Sequence, residues 1–193
     1  MKKTTYILAG AIGLLLIFCF VLPAILFQTN ELPWEKEIVL KHTPGETGKE
    51  TVLPEFHVLS EAGGSQTYYI SFMNPEGLSQ QPSITIKESD SVAAPVLKLN
   101  PVWNNIVKVT SDQDKLNILF NVAKPNYASV WVKIPDGENE VGVLTVPRGM
   151  LREIAYPDIS LHLSDFKDAD LTLHSVHGIS AENSSFRNLF FKD

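Results

Sequence analysis

Cysteine is almost absent from this chain of 193 residues, which contains a single one, Cys19. Cys19 lies inside a long apolar run, so the rest of the chain has no disulfide and no thiolate zinc site. A domain built from that remainder must be stabilised by apolar burial, and it is long enough to form a sizeable core. The lack of disulfides is compatible with a bacterial envelope and less typical of a small secreted eukaryotic module.

Positive charge is also scarce, because 16 Lys and Arg stand against 22 Asp and Glu, for a net charge of −6. Lys2 and Lys3 are the only charged residues among the first 27, and removing their two charges takes the net charge to −8. Nucleic-acid binding requires a basic stripe, and docking on anionic lipid requires a basic cluster. Neither is present, and no phosphate-binding glycine motif occurs. We therefore expect no nucleic-acid partner.

Charge is missing entirely from residues 6–27, which form an apolar run. A helix over this run would be about 33 Å long and could cross a hydrocarbon core of about 30 Å. The run is longer than the apolar part of a signal peptide and lacks a good small-residue cleavage site, which favours a retained anchor over a cleaved signal. Lys2 and Lys3 predict that residues 1–5 stay in the cytoplasm. We expect a single-pass protein of the inner (cytoplasmic) membrane that contacts lipid through this helix, with the C-terminal domain outside.

Residues 28–50 are polar and aperiodic and predict a linker, whereas residues 51–193 predict an all-β domain outside the membrane. Apolar residues alternate there with the strand period of two, and turn-forming residues separate the runs. This spacing predicts a strand-rich sandwich or roll, with no amphipathic helix. The predicted inward rows are Ile70 and Phe72; Ile84 and Ile86; Leu116, Ile118, Phe120 and Val122; Val130, Val132 and Ile134; and Val141, Val143 and Thr145.

The end of the chain shows an internal repeat at 159–193. Shifting the sequence by 20 residues aligns Ile159–Leu161 with Ile179–Ala181, and apolar residues recur every five positions. Each coil of 20 residues would place one apolar side chain per side inward, which predicts short right-handed β-solenoid-like rungs. An antiparallel meander is the alternative. The predicted inward residues are Leu161, Phe166, Leu171, Val176, Ala181, Phe186 and Phe191, with turns at Asp168, Gly178, Asn183 and Asn188.

The segment Gly142-Val143-Leu144-Thr145-Val146-Pro147, followed by Leu-x-Leu rungs behind an N-terminal anchor, gives the chain a likeness to known proteins. It resembles envelope proteins of Bacteroides-type bacteria whose outer parts contain adhesin-head-like β-solenoid domains. The likeness covers roughly residues 80–193. It implies a non-catalytic envelope role and transfers no functional residue.

Two sets of side chains could support chemistry, and each has a simpler explanation. His174 and His177 are three residues apart and would point to different faces of a strand, so we expect no metal site. Asp165, Asp168 and Asp170 could line a carbohydrate-cleaving face, but Asp is also a common turn residue. The sequence provides no other catalytic or cofactor-binding set. We therefore expect a protein that is not an enzyme and has no cofactor.

Exposed aromatic side chains offer a possible ligand surface. Tyr69 and Trp131 lie on faces opposite to the apolar rows, where they could stack on a sugar ring. The low-specificity ligand surface is thus Tyr69, Trp131, Asp165, Asp168 and Asp170. Convergence of the aspartates in one groove beside an aromatic residue would favour a carbohydrate-binding or carbohydrate-active protein. Scattered aspartates would favour a scaffold.

The last apolar cluster, Leu189 to Phe191, predicts an uncovered edge, because stacked coils normally require a cap. We expect this edge to pair with a second copy or with another envelope protein, or else the chain to be a fragment of a longer protein that completes the edge. The leading function is a non-catalytic binding, adhesin-like or structural role in a bacterial envelope. The alternative is a membrane-tethered carbohydrate-binding or carbohydrate-active protein, with a glycan as its partner.

Overall fold

The computed structural model describes residues 35–60, 69–122, 129–155, 159–176 and 178–192. These ranges form an all-β structure with one 3₁₀ turn at Pro101–Trp103 and no α-helix. No helix among the described residues is long and apolar enough to cross a membrane, and residues 6–27 lie outside them. The strands are β1 (Glu35–Val39), β2 (Glu50–Val52), β3 (Val58–Ser60), β4 (Tyr69–Met73), β5 (Ser83–Ser89), β6 (Val96–Leu99), β7 (Val107–Asp112), β8 (Lys115–Phe120), β9 (Ser129–Lys133), β10 (Glu140–Pro147), β11 (Glu153–Ala155), β12 (Ser160–Ser164), β13 (Ala169–His174), β14 (Gly178–Glu182) and β15 (Phe186–Lys192).

Three sheets contain all of these strands, of which the first is wholly parallel and the other two are mixed. The first sheet has the order β1-β9-β4, the second β14-β12-β5-β10-β6-β2, and the third β15-β13-β11-β3-β8-β7. Nine of the pairings are parallel, and the antiparallel ones are β10 with β6, β2 with β6, and β7 with β8. Neighbours in these sheets are therefore mostly distant in sequence.

Two parts of the chain make equivalent circuits of the three sheets. β3, β4 and β5 lie in the third, first and second sheets in turn, and β8, β9 and β10 follow the same path. Each strand of one circuit pairs in parallel with its counterpart in the other, for example with Leu59 beside Leu116 and Ile86 beside Leu144. Since parallel register sets equivalent residues side by side, apolar rows run across the strands through the interior.

After β10 the chain passes to the opposite side of the β3–β5 circuit. β11 pairs with β3 and β12 pairs with β5, so β3 and β5 each lie between a strand of β8–β10 and a strand of β11–β12. β13, β14 and β15 then add in parallel on that same side. The second and third sheets consequently have β14 and β15 as the edge strands at one end and β2 and β7 at the other.

A buried carboxylate ties this crossing together. Glu88, at the end of β5, is 3% exposed and accepts hydrogen bonds from the backbone N–H groups of Gly149 at 2.7 Å and Lys167 at 3.1 Å. The Nε of Arg148 lies 3.8 Å from the same carboxylate. Gly149 precedes β11 and Lys167 precedes β13, so one side chain joins three segments that are far apart in sequence.

The interior is apolar and continuous from the first sheet to the third. Its aromatic cluster packs Phe72, Trp103 and Phe120 with ring centroids 4.9–6.0 Å apart. The indole N–H of Trp103 donates to the backbone oxygen of Glu138 at 2.9 Å, which satisfies its buried donor. Most of the predicted inward rows are confirmed; the buried members are Ile84, Ile86, Leu116, Ile118, Phe120, Val122, Val130, Val132 and Ile134.

The inward row predicted for β10 is wrong after its first member. A register shift between Glu140 and Gly142 lets Val141 and Leu144 both face the interior, and Thr145 faces out. One extra residue at such a bulge exchanges the two faces of a strand. A Cβ at Gly142 would lie 2.4 Å from the backbone oxygen of Lys98, so glycine is required where β6 approaches.

The boundary between linker and domain also differs from the prediction. Residues 28–50 were expected to form a linker, but β1 lies within that range and pairs in register with β9. Leu40 is buried, and the backbone N–H of Lys49 bonds to Asn104. The domain therefore includes residues from Glu35 onward. Alternating charges along β1 hide its strand character from a search for apolar periodicity.

The repeat at 159–193 stacks in parallel, so the antiparallel meander is wrong. Its length is 18 residues rather than 20, because Leu161 pairs with Ile179 and Asp170 pairs with Asn188. Both lengths are even, so a two-residue error keeps the same side chains inward. Leu161, Phe166 and Leu171 are buried as predicted. Asp168 and Asn183 occupy left-handed turn conformations, whereas Gly178 and Asn188 lie within strands.

Candidate functional site

The end of the structure formed by β14 and β15, which we call the open end, is the most prominent candidate for a binding surface. None of the described strands pairs with the outer edge of β14 or of β15. The two strands are joined by a short turn around Asn183, whose φ of 50° makes the corner between the second and third sheets. Their backbone donors and acceptors are therefore presented together at one end.

Apolar rows that are buried on the inner strands become exposed on β14 and β15 at the open end. Leu161 is fully buried on β12, yet Ile179, which lies beside it on β14, is 38% exposed. Leu173 is buried on β13, yet Phe191, which lies beside it on β15, is 64% exposed. Phe190 points to the other face of β15 and is 56% exposed. An edge strand with such side chains is a template for pairing with another polypeptide.

Charge divides between the two strands of the open end. Glu182 is the charged residue of β14, whereas β15 carries Arg187 and Lys192. Arg187 is held by Asp170, to which its Nε and a terminal nitrogen donate at 3.1 and 2.6 Å. One edge strand is thus acidic and the other basic.

The three aspartates singled out from the sequence lie around β12 and β13 but have separate structural partners. Asp165 pairs with Lys87 at 3.3 Å and has a φ of 61°. Asp168 has a φ of 50°, and its backbone N–H donates to the Ser185 hydroxyl. Left-handed conformations of this kind favour Asp, Asn and Gly.

Asp170 lies on the outer face of the third sheet and accepts from Asn188 at 2.7 Å as well as from Arg187. The hydrogen bond from Asn188, followed by that from Arg187, holds the pKa of Asp170 below its ordinary value of 3.8. An ionised carboxylate with bound donors is an unsuitable general acid. The arrangement serves to tie β13 to β15.

The two aromatic candidates lie in the first sheet. Trp131 is 37% exposed on β9, beside Ser71 of β4 and Glu37 of β1. Glu37 and Lys133 form an ion pair at 3.0 Å on the same face. Tyr69 of β4 pairs with Ser129, which is two residues before Trp131 on β9. The side chain of Tyr69 lies outside the described residues. Trp131 and the aspartates therefore belong to different sheets.

Histidine provides no metal centre among the described residues, in which no group of three His, Cys, Asp or Glu converges. The Nε2 of His174 lies 3.2 Å from Glu153, and His177 lies outside the described residues. His57 bonds to Asp114, which joins the start of β3 to the turn before β8.

Two grooves open on other parts of the surface. One, of about 370 Å³, lies at the β2 and β7 end between Leu97, Leu99, Val107, Val109 and Leu116, with Lys49 and Lys108 at its rim. The other, of about 350 Å³, is bordered by Glu55, His57, Arg148 and Met150. Neither groove includes Trp131 or any of the three aspartates.

Sequence reasoning missed two features of these surfaces. Ile179 was not recognised as part of the uncovered edge, because a 20-residue repeat aligns it with Ile159 rather than with Leu161. Glu88 gave no signal, because a single Glu at the end of a strand is usually solvated. Only the parallel pairing of β5 with β10 reveals that Glu88 lies next to the segment that contains Gly149.

No family model matches this chain, and no curated protein sequence matches it significantly. Among solved structures, a candidate adhesin from Parabacteroides merdae is similar over 76% of this chain and 59% of its own, with 10% identity and a TM-score of 0.35. A candidate lipid-binding protein from Parabacteroides distasonis is similar over 76% and 63%, with 8% identity and a TM-score of 0.36. A candidate adhesin from P. distasonis is similar over 76% and 53%, with 8% identity and a TM-score of 0.33. The chain spans between half and two thirds of these structures, and similarities this distant carry no conclusion about its function.

Proposed function

We propose that this chain is a non-catalytic, adhesin-like or structural module of a bacterial cell envelope whose open end binds another polypeptide by strand addition. Its parallel circuits form a short β-solenoid, and residues 6–27 hold it on the outer side of the inner membrane. The apolar run and the basic residues Lys2 and Lys3 support this location. Partner binding rests on a separate observation.

That observation is the exposure of two apolar rows on β14 and β15, whose outer edges pair with none of the described strands. Ile179 and Phe191 continue rows whose previous members are buried. Burying a side chain of this size contributes about 1.5–3 kcal/mol, and an added strand would also satisfy the edge hydrogen bonds. Backbone pairing provides affinity, while the apolar side chains on alternate positions provide specificity.

Site-specific photo-cross-linking in cells tests strand addition. A photoreactive phenylalanine analogue at position 179 or 191 of the full chain should yield an adduct with a polypeptide. The matched control is position 78, because Leu78 is as exposed as Phe191 but lies between β4 and β5, outside both edge strands. Adducts at 179 and 191 and none at 78 support the proposal. Absence of any polypeptide adduct at both positions would show it to be wrong.

Carbohydrate binding through the first sheet is the second candidate. Trp131 presents part of its ring beside the Glu37–Lys133 ion pair, and an aromatic ring next to charged groups can stack on a sugar and bond its hydroxyls. If this surface binds a polysaccharide, Trp131→Ala should abolish binding and Trp131→Tyr should preserve it. Equal binding by both variants, or no binding by the wild-type chain, would exclude this surface.

A further inference from the structure

We infer that the polypeptide bound at the open end is a second copy of this chain, with β14 of each copy paired antiparallel to β15 of the other across a two-fold axis. The inference rests on the proposed function, because it names the partner of the same surface. Three observations support it: the continuity of the interior rows, the charges of the two strands, and the position of both edges at one end.

Continuity of the rows sets the register. Placing Ile179 opposite Phe191 of the partner subunit puts Ala181 opposite Leu189 of the partner subunit. Ile179, Ala181, Leu189 and Phe191 continue buried interior rows of their own sheets. The pairing would therefore cover, from both sides, the row ends that the single chain leaves exposed. Residues directly opposite each other in an antiparallel pair lie close enough to pack.

Charge favours pairing between unlike strands. The register places Glu182 opposite Asn188 of the partner subunit and next to Arg187 of the partner subunit. Within each chain Arg187 pairs with Asp170. Glu182 would add a contact to Arg187 of the partner subunit, so that the ion-pair network crosses the interface. Pairing β15 with β15 would instead join two basic strands, and pairing β14 with β14 would join two acidic ones. Opposite charges across strands stabilise a pair, and like charges destabilise it.

Geometry favours a closed dimer over a growing fibre. The outer edges of β14 and β15 lie at the same end of the structure, so a two-fold axis uses both of these edges in both copies at once. An interface of this isologous kind leaves no outer edge of β14 or β15 for further addition at the open end. A head-to-tail contact would have to place β14, of five residues, against β2, of three. Part of the edge of β14 would then stay unpaired.

Sedimentation of the purified full chain in detergent provides the first test. The wild-type chain should dimerise, and Ile179→Asp should raise the dissociation constant by at least about tenfold, because it places a charge in the apolar row. Leu78→Asp, at an exposed position outside the open end, should leave it unchanged. Circular dichroism would verify that Ile179→Asp is folded. A wild-type monomer at high concentration, or equal effects of the two variants, would overturn the inference.

Disulfide trapping tests the register in the full chain carrying Cys19→Ser. Ser180 and Phe190 face each other in the proposed pairing, within the reach of a disulfide. The double variant Ser180→Cys with Phe190→Cys should form a covalent dimer and no larger species. Each single variant should stay monomeric under the same oxidant. A covalent dimer of either single variant would indicate pairing of like strands, and a ladder of larger species would indicate head-to-tail growth; both outcomes overturn the inference.

The two proposals fail in different ways. A cellular adduct at 179 or 191 that contains peptides of another protein, together with a monomeric purified chain, contradicts the second copy and leaves strand addition intact. The absence of any polypeptide adduct contradicts both. An adduct that contains peptides of this chain supports both.

Discussion

Phe191 lies directly beside Leu173 in the parallel pair of β13 and β15, yet their exposures are 64% and 1%. Leu173 in turn lies beside buried Ile154 of β11. The row is thus apolar as far as β15, the last strand of the third sheet, where no further described strand packs over it. What distinguishes Phe191 is its position at the edge of the third sheet, since its residue type suits an interior.

Phe166 should be indispensable to the interior of the repeat. It is fully buried at the corner between β12 and β13 and stacks on Phe186 with the ring centroids 5.9 Å apart. Phe166→Ala should lower the free energy of unfolding by about 3–5 kcal/mol, because it removes buried carbon and leaves a cavity. Denaturant unfolding of residues 28–193 measures this, with Leu78→Ala as the exposed control. A loss within about 0.5 kcal/mol would be typical of a surface position and would contradict the packing.

Glu88→Gln should destabilise the crossing between β10 and β11. The carboxylate accepts two backbone N–H donors, whereas an amide would turn its own NH₂ group toward one of them. A loss of about 1–3 kcal/mol in unfolding free energy is expected for a buried donor left without an acceptor. Glu76→Gln, at an exposed position, is the matched control. Equal stability of the two variants would contradict the role of Glu88.

Asp168 should respond to substitution as a turn residue. Its φ of 50° suits glycine and penalises a Cβ that has no compensating hydrogen bond. Asp168→Ala should therefore be less stable than Asp168→Gly by about 1 kcal/mol, which reverses the usual order of these two residues. Thermal unfolding of the two variants decides this, and a more stable alanine variant would contradict the left-handed turn.

Asp170 should stabilise the fold at neutral pH and stop doing so in acid. Its pKa is lowered in the folded chain by Asn188 and then by Arg187, so its contribution is complete above its ordinary value of 3.8. As the pH falls below that value, the unfolded chain binds a proton first, and the contribution decreases until the folded group is protonated as well. Asp170→Asn should therefore be less stable than the wild type at pH 7, with a difference that shrinks below about pH 4. A difference that is independent of pH would show that the carboxylate charge does not matter.

Membrane topology can be tested separately from the folded domain. Reporter fusions after residue 50 and after residue 193 should both report the outer compartment if residues 6–27 are a retained anchor with Lys2 and Lys3 inside. N-terminal sequencing should then find the unprocessed start. A mature chain that begins near Gln28 would contradict retention and identify a cleaved signal.

The side chains that face inward could be predicted, but the partners of each strand could not. Alternation in Leu116-Asn117-Ile118 is the same for parallel and antiparallel strands, so it identifies the buried face and leaves the pairing open. β3 pairs with β8 across about 57 positions, and no local turn signals such a pairing. The strand β1 escaped prediction because it alternates Glu and Lys with one apolar residue, Ile38, on its inner face.

The candidate surfaces were partly predictable for the same reason. Trp131 was recognised as facing away from the apolar row, which depends on parity within one strand. Ile179 is exposed because none of the described strands pairs with the outer edge of β14. The alternation of residues within one strand does not indicate whether another strand lies beside it. Asp165 pairs with Lys87, whereas Asp170 pairs with Arg187. These separate partners could likewise not be predicted without the register between the strands.

The passage of the chain from one side of the β3–β5 circuit to the other constrains the order in which the domain can fold. β3 and β5 each acquire one neighbour from β8–β10 and the other from β11–β12, both of which are synthesised later. Until then both flanks of β3 and β5 are bare, and β11 and β12 must be in place before β13, β14 and β15 can add, because these three strands pair with β11, with β12 or with one another. Proteins dominated by such non-local pairings fold slowly. The chain should therefore pass through a long-lived folding stage in which the central strands β3 and β5 expose apolar side chains, so that its folding should depend on chaperones.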